Sequence, residues 1–234
     1  MFFSLDMSSD IKIKRPIIRQ FYLSILAGVC IALGCTGLAF IKSDSPLPTA
    51  LSGILSGFIF SFGLFAIFSL GFELFTGNNL MFSSYIRNKI TFSQMFKVWA
   101  ITFAGNTIGC LLISVIFSIT NLSYVDVLRA LANSKVDLPL ENLFARGILC
   151  NILICFAVLI SQRENGIVQK FFASSIPVIV FVACGYEHSI ADIFILSFSS
   201  LNIISVITCL SVVLFGNIVG GIIVSALYTY SYER

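Results

Sequence analysis

His188 is the one histidine in 234 residues, and it stands in a polar run, Gly185-Tyr186-Glu187-His188-Ser189-Ile190-Ala191-Asp192, inside an otherwise apolar stretch. A second run, Glu73-Leu74-Phe75-Thr76-Gly77-Asn78-Asn79, interrupts another apolar stretch. Imidazole is the side chain whose unperturbed pKa lies nearest neutrality, so it can hold or release a proton under ordinary conditions. Carboxylates such as Glu73, Glu187 and Asp192 can accept from free backbone amides. Covalent catalysis needs a nucleophile beside a base, and one histidine leaves little room for such a pair. The seven cysteines (Cys30, Cys35, Cys110, Cys150, Cys155, Cys184 and Cys209) all lie in apolar runs, form no CxxC and are odd in number. They read as small packing residues rather than a disulfide framework. No metal site, haem or other cofactor is expected.

The elements that must position these groups follow from composition. Hydrophobic residues make up 58% of the chain and charged residues 11%, against about 25% charged in a soluble domain. Such a chain cannot coat a water-facing globule of this size, which argues against a soluble enzyme or a disordered chain. A net charge of +3 is too small to argue for nucleic acid. Acids and polar residues precede the first basic cluster, an order unlike a cleavable leader.

A membrane span needs about 20 mostly apolar residues. Six stretches qualify: 21–41, 49–86, 95–119, 143–161, 170–199 and 201–228. The second and fifth contain the two polar runs, so both are expected to be broken helices. Lys12, Lys14, Arg15, Arg19, Arg87, Lys89, Lys97, Arg163, Lys170 and Arg234 fall on one side of this topology; Lys42, Arg129, Lys135 and Arg146 fall on the other. The basic-rich side is expected to be cytoplasmic. The predicted organisation is a cytoplasmic segment 1–20, a six-helix membrane domain 21–229 and a cytoplasmic tail 230–234, with both termini inside a cell membrane.

The two interrupted spans are each the middle member of a three-span half. Glu73 aligns with Glu187 (187 − 73 = 114), and Gly105-Asn106-Thr107-Ile108-Gly109 with Gly216-Asn217-Ile218-Val219-Gly220 (216 − 105 = 111). Ala27-Gly28 is expected to align with Arg146-Gly147 (147 − 28 = 119). Three spans per half is odd, so the halves have opposite topology. The predicted fold class is all-α integral membrane, a 3+3 inverted repeat with broken second and fifth helices. Inverted repeats with broken helices in matching places point to a transport site at the repeat interface, because backbone that leaves the helix inside hydrocarbon must be buried in protein or line an aqueous cavity.

Within this frame Glu73 and Glu187 read as a symmetric scaffold, since each half has one. His188 reads as functional, because Leu74 occupies its place in the first half. Asn217, like Asn106, reads as structural, an amide bonding broken backbone or a neighbouring helix; Asn151 has the same reading. The 24 phenylalanines face lipid or pack between helices, and a few line constrictions.

Glu73-Leu74-Phe75-Thr76-Gly77-Asn78, Arg146-Gly147-Ile148-Leu149-Cys150-Asn151, the run from Gly185 to Ala191 and the two Gly-Asn-x-x-Gly segments together resemble the formate/nitrite transporter family, in order and spacing, from Lys12 to about Tyr228. The resemblance implies an aquaporin-like arrangement of six helices, a homopentamer with one pore per protomer, and passage of a small monovalent anion such as formate, nitrite, hydrosulfide, acetate or lactate. It implies a central pore site of His188 faced by Thr76. It implies hydrophobic constrictions at Phe60, Leu64, Leu74 and Phe181, the phenylalanines and Leu64 on the cytoplasmic side. It also implies vestibule lysines Lys135 outside and Lys12 inside, with Asn151 and Asn217 near the centre. One departure stands out: the family usually has Asn where this chain has Asp192, one helical turn after His188. That carboxylate would favour a protonated imidazole, or be neutral itself by burial.

The function these readings imply is proton-linked anion transport, with proton and anion as substrates and lipid as surroundings. A hydrosulfide channel is the alternative within the family. A neutral-solute pore of aquaporin type is the alternative outside it, although the chain lacks a twin Asn-Pro-Ala signature.

Overall fold

The computed structural model describes residues 5–43 and 47–232. Residues 1–4 and 233–234, Arg234 among them, lie outside the described residues. Those described form eleven helices and no strand: α1 (Leu5–Lys14), α2 (Ile17–Ser43), α3 (Thr49–Leu70), α4 (Phe75–Asn78), α5 (Met81–Ile86), α6 (Phe92–Ser118), α7 (Val125–Val136), α8 (Leu140–Arg163), α9 (Ile167–Ala183), α10 (Ser189–Leu196) and α11 (Ile203–Tyr232).

Five of these helices, α2, α3, α6, α8 and α11, are long and apolar enough to cross a membrane. The expected fifth span, 170–199, is broken at its polar run as expected: α9 with 17 residues, a break, and α10 with eight. At about 1.5 Å rise per residue, α9 alone falls short of a hydrocarbon core about 30 Å thick. The second expected span is likewise α3, a break, and the short helices α4 and α5. Local chemistry sets the ends. Pro48 and Pro139 precede α3 and α8, where a missing N–H costs nothing and the fixed φ suits entry. Thr91 and Gln94 form a capping box at α6. The helices α1 and α7, which hydropathy did not reveal, lie outside the spans.

The broken elements end alike. Gly71 and Gly185 (185 − 71 = 114) adopt φ of 71° and 68°, a left-handed conformation that glycine enters without steric cost. Immediately after them the Phe72 N–H bonds Ile67 O at 3.0 Å, and the Tyr186 N–H bonds Phe181 O at 2.9 Å. The next amides turn to a neighbouring helix: Glu73 N–H donates to Leu23 O and Glu187 N–H to Arg146 O, both at 3.3 Å.

These bonds correct the register expected for the first and fourth spans. Leu23, not Ala27, takes the place of Arg146, so the offset there is 123 (146 − 23) rather than 119. In that register Ile25 matches Ile148. A methyl added to Gly109 would lie 2.1 Å from Ile25 O, and one added to Gly220 would lie 2.4 Å from Ile148 O. The small-xxx-small motifs thus bring α6 onto α2 and α11 onto α8 with backbone against backbone. At the centre α3 packs along α9, and Ser61 Oγ donates to Ser175 Oγ at 3.0 Å. These two serines are themselves 114 apart (175 − 61).

Candidate functional site

The two breaks carry the candidate chemistry. Leu74 and His188 are the extended residues that open α4 and α10, with φ/ψ of −107°/129° and −114°/109°. Each exposes the free amides of a helix start. In the second break the side chain supplies an acceptor: the Ala191 N–H donates to His188 Nδ1 at 3.1 Å. An Nδ1 that accepts holds no proton, so the ring hydrogen is on Nε2. Nε2 lies 3.1 Å from Thr76 Oγ1 and donates to it. The Thr76 hydrogen is then left to point elsewhere. Leu74 has no acceptor to offer α4, so that helix has no cap from its own N-cap side chain.

Asn106 and Asn217 hold the extended segments. Asn106 Oδ1 accepts from Phe75 N–H at 2.9 Å, and its Nδ2 donates to Ser24 O at 2.7 Å and Glu73 O at 2.9 Å. Asn217 Oδ1 accepts from Ser189 N–H at 2.8 Å, and its Nδ2 donates to Gly147 O at 2.8 Å and Glu187 O at 2.9 Å. Both are fully buried. Asn151 donates to Asn217 O at 2.6 Å and to Asn79 Oδ1 at 2.9 Å. Its Nδ2 is therefore committed to framework, as is the whole amide of Asn217.

Two cavities approach the His188–Thr76 pair and share no lining residue. One, of about 370 Å³, is lined by Lys12, Arg15, Ile67, Glu73, Leu74 and Asn78 among others. The other, of about 280 Å³, is lined by Phe60, Lys135, Phe181, Glu187, His188 and Asp192 among others. Phe181 stacks on the imidazole of His188 with ring centroids 5.9 Å apart and planes 19° apart, and Phe60 meets Phe181 edge-on at 5.6 Å. Leu64 is buried and lines neither cavity, as is Thr76. Phe60 and Phe181 thus stand on the Lys135 side, whereas the expectation put them on the side of Lys12. The reason is the direction of the helices: Phe181 lies near the end of α9 next to the second break, which faces Lys135. Leu74 takes the Lys12 side.

The lysines are engaged rather than free. Lys12 Nζ lies 3.2 Å from Glu73 Oε2 and donates to Asn78 Oδ1, while Arg15 pairs with Glu73 Oε1. Asn78 Nδ2 completes that cluster, donating to Glu73 Oε2 at 3.1 Å and to Thr102 Oγ1 at 3.0 Å. On the other side Lys135 pairs with Glu187 and lies 3.0 Å from Asp192 Oδ1, and Arg146 lies 4.0 Å from Glu187 Oε1. Asp192 therefore turns to Lys135 rather than to His188. Burial opposes the charge on Lys135, but the carboxylates of Asp192 and Glu187 outweigh it and hold its ammonium above the ordinary lysine range.

Asn78 and Arg15 were not singled out by sequence reasoning. Asn78 carried a usable signal, since it precedes Asp192 by 114 (192 − 78), the offset that relates the two glutamates. Arg15 carried none beyond membership of a basic cluster. The cysteines are unpaired; Cys184 is exposed and the other six are buried.

Comparison with known proteins agrees with this architecture. A family model described as Formate/nitrite transporter matches residues 4–231. The formate channel FocA of Haemophilus influenzae is 32% identical, the match covering 78% of this chain and 66% of that protein. The transporter YwcJ of Bacillus subtilis is 32% identical over 92% of this chain and 89% of its own. The formate channel FocA of Escherichia coli K12 is 29% identical over 94% and 88%. A solved pentameric formate channel with formate bound superposes with a TM-score of 0.84 at 26% identity, covering 93% of this chain and 98% of that one.

Proposed function

The chain belongs to the formate/nitrite transporter family, and from that premise we propose that it passes a small monovalent anion of formate or nitrite type, with proton linkage, through a pore in each protomer of a homopentamer. The observation that carries this reading is the His188–Thr76 contact, set between two cavities that each contain a lysine. In this reading the protomer is a six-span 3+3 inverted repeat in an aquaporin-like arrangement. Its membrane domain is 21–229, and the segments 1–20 and 230–234 are both cytoplasmic.

The physics of passage follows from the lining. Carrying a bare anion past Phe60, Phe181, Leu64 and Leu74 requires stripping its water in an apolar slit, which is expensive. The conjugate acid crosses at far lower cost. His188 offers one hydrogen, on Nε2, because Nδ1 is engaged by Ala191. Giving that hydrogen up would leave an imidazolate, so His188 acts as a hydrogen-bond donor to the oxygen of the passing anion. Thr76, freed from donating to His188, provides a second hydrogen. The proton that neutralises the anion then arrives from the cavities with the substrate. Lys135 and Lys12 shape the potential of the two vestibules, and Glu73, Glu187, Asn151 and Asn217 keep the breaks in place. Cationic groups in both cavities favour an anion over the neutral solute of an aquaporin-type pore.

The test is flux into proteoliposomes of formate, nitrite and hydrosulfide, measured side by side across a pH series. Flux of one or more anions that rises on acidification is the expected result. Osmotic water or neutral-solute flux without anion flux would overturn the reading.

A further inference from the structure

The two ends of the pore are built to one plan with one exception. Each glutamate, Glu73 or Glu187, meets a lysine, Lys12 or Lys135, and that lysine also meets the residue five positions after the glutamate. On the Lys12 side that residue is Asn78. On the Lys135 side it is Asp192. The amide of Asn78 is satisfied at both ends, by Lys12 at its oxygen and by Glu73 and Thr102 at its nitrogen. The carboxylate of Asp192 is 2% exposed and satisfied at one oxygen: Oδ1 has Lys135, while Oδ2 is buried with no hydrogen-bond partner among the described residues. An oxygen in that position is a place to receive a proton.

The exception changes the charge an anion meets. Beside Glu73 stand two cations, Lys12 and Arg15, against one carboxylate. Beside Glu187 stand two cations, Lys135 and Arg146, against two carboxylates. Among the other groups facing Asp192, Lys42 adds one positive charge, while in the Lys12 cavity Lys170 and Glu164 offset each other. His188, on the same break as Asp192, is neutral with Nδ1 accepting; the thiols of Cys35 on α2, Cys150 on α8 and Cys209 on α11 lie within the electrostatic reach of Asp192. Adding one proton at Asp192 raises the positive balance of the Lys135 side by one charge, a change the Lys12 side, with Asn78 in that place, cannot make.

We infer that Asp192 is a one-sided proton switch: ionised, it offsets part of the positive field of Lys135, Arg146 and Lys42 and slows anion entry from that side; protonated, it releases that part of the field and entry quickens. The inference rests on the anion-passage reading and adds to it a direction-dependent control. The switch acts on the charge of the cavity, so an amide at this position leaves it permanently open.

The experiment uses the full-length protein and its Asp192→Asn and Asn78→Asp variants in vesicles of known orientation, with labelled formate as the probe and the pH of each compartment set separately. Comparing proteins at one pH cancels the change in formic acid content. At neutral pH the D192N variant is expected to admit formate faster than wild type from the Lys135 side. Acidifying that compartment closes the gap, the ratio changing by up to about tenfold per pH unit, the limit for one titrating group. Entry from the Lys12 side is expected to keep a constant ratio. N78D is expected to create the same dependence on the Lys12 side, and it carries the test alone if D192N does not assemble. A ratio that stays flat with pH while wild type carries formate overturns the switch and leaves the anion reading standing. D192N entry slower than wild type at every pH also overturns it, since the carboxylate would then be aiding entry. Absence of formate, nitrite and hydrosulfide flux in inserted wild-type protein overturns the anion reading, and the switch with it.

Discussion

Asn106 and Asn217 make the same three hydrogen bonds in the two halves of the molecule: each accepts from the amide that follows a break and donates to two carbonyls, one in the break and one in the neighbouring helix. A side chain with both donor and acceptor ends is required, and only an amide of this length supplies them in one plane. Asn106→Ala or Asn217→Ala is expected to cost about 3 kcal/mol, at about 1 kcal/mol for each bond lost. Thermal unfolding in detergent, with chromatography to follow assembly, measures it. Asparagine to aspartate keeps the acceptor and loses both donations, and is expected to be no better tolerated than alanine.

His188 has two duties that substitutions can separate. His188→Phe removes the cap on α10 and the hydrogen bond to Thr76 together; His188→Asn can keep an acceptor for the helix start but loses the Nε2 donor. Capping is worth about 1 kcal/mol, so the phenylalanine variant is expected to melt lower than the asparagine variant. Formate flux is expected to fall in both. Near-wild-type flux and pH dependence in H188F would remove the histidine from the passage.

Thr76 is expected to act through its hydroxyl. Thr76→Ser retains it, and Thr76→Val replaces it with a methyl of similar volume. Initial rates of anion uptake should be close to wild type in T76S and reduced about tenfold in T76V, the equivalent of about 1.4 kcal/mol. Equal rates in the two variants would contradict the role assigned to this contact.

Lys135 neutralises two buried carboxylates, so its loss leaves Asp192 without its cation and Glu187 with Arg146 alone. Lys135→Met is expected to cost about 3–5 kcal/mol, part of which the double variant with Asp192→Asn should restore. The folded lysine is held above its ordinary range by Asp192 and Glu187 in spite of burial. A cation raised in this way stabilises the fold fully below its unfolded value and loses that contribution as pH rises through the folded one. Both values lie on the alkaline side, so this lysine adds no pH dependence to melting near neutrality. Thermal melting of K135M and of the double variant at one neutral pH measures both effects, and a double variant no more stable than K135M would contradict the pairing of Lys135 with Asp192.

The sequence made much of this legible because the membrane restricts the alternatives. Apolar length located the helices, and the two polar runs located the breaks, since neither fits hydrocarbon without a partner. His188 stood out because its counterpart is a leucine. What the sequence hid has physical reasons. The helices α1 and α7 are short and carry charges, so hydropathy cannot distinguish them from loop, yet they deliver Lys12 and Lys135 to the glutamates. The register of α2 against α8 is fixed by carbonyls, Leu23 O and Arg146 O, and a carbonyl is present at every position, so no residue type marks it. Which cavity Phe60 and Phe181 face depends on the direction of α9 relative to the break, a tertiary relation without local signature.

The contact of Ser61 with Ser175 has its own bearing on what the centre of the molecule can tolerate. Where a chain lays one half against the other, a position that meets its own equivalent is chosen for compatibility with itself. A carboxylate there would face a carboxylate, and an ammonium an ammonium. A hydroxyl both gives and takes a hydrogen bond, and is therefore among the few polar groups that can be their own partner. Variation at this seam is accordingly expected to be paired, each side constrained by what the other has become.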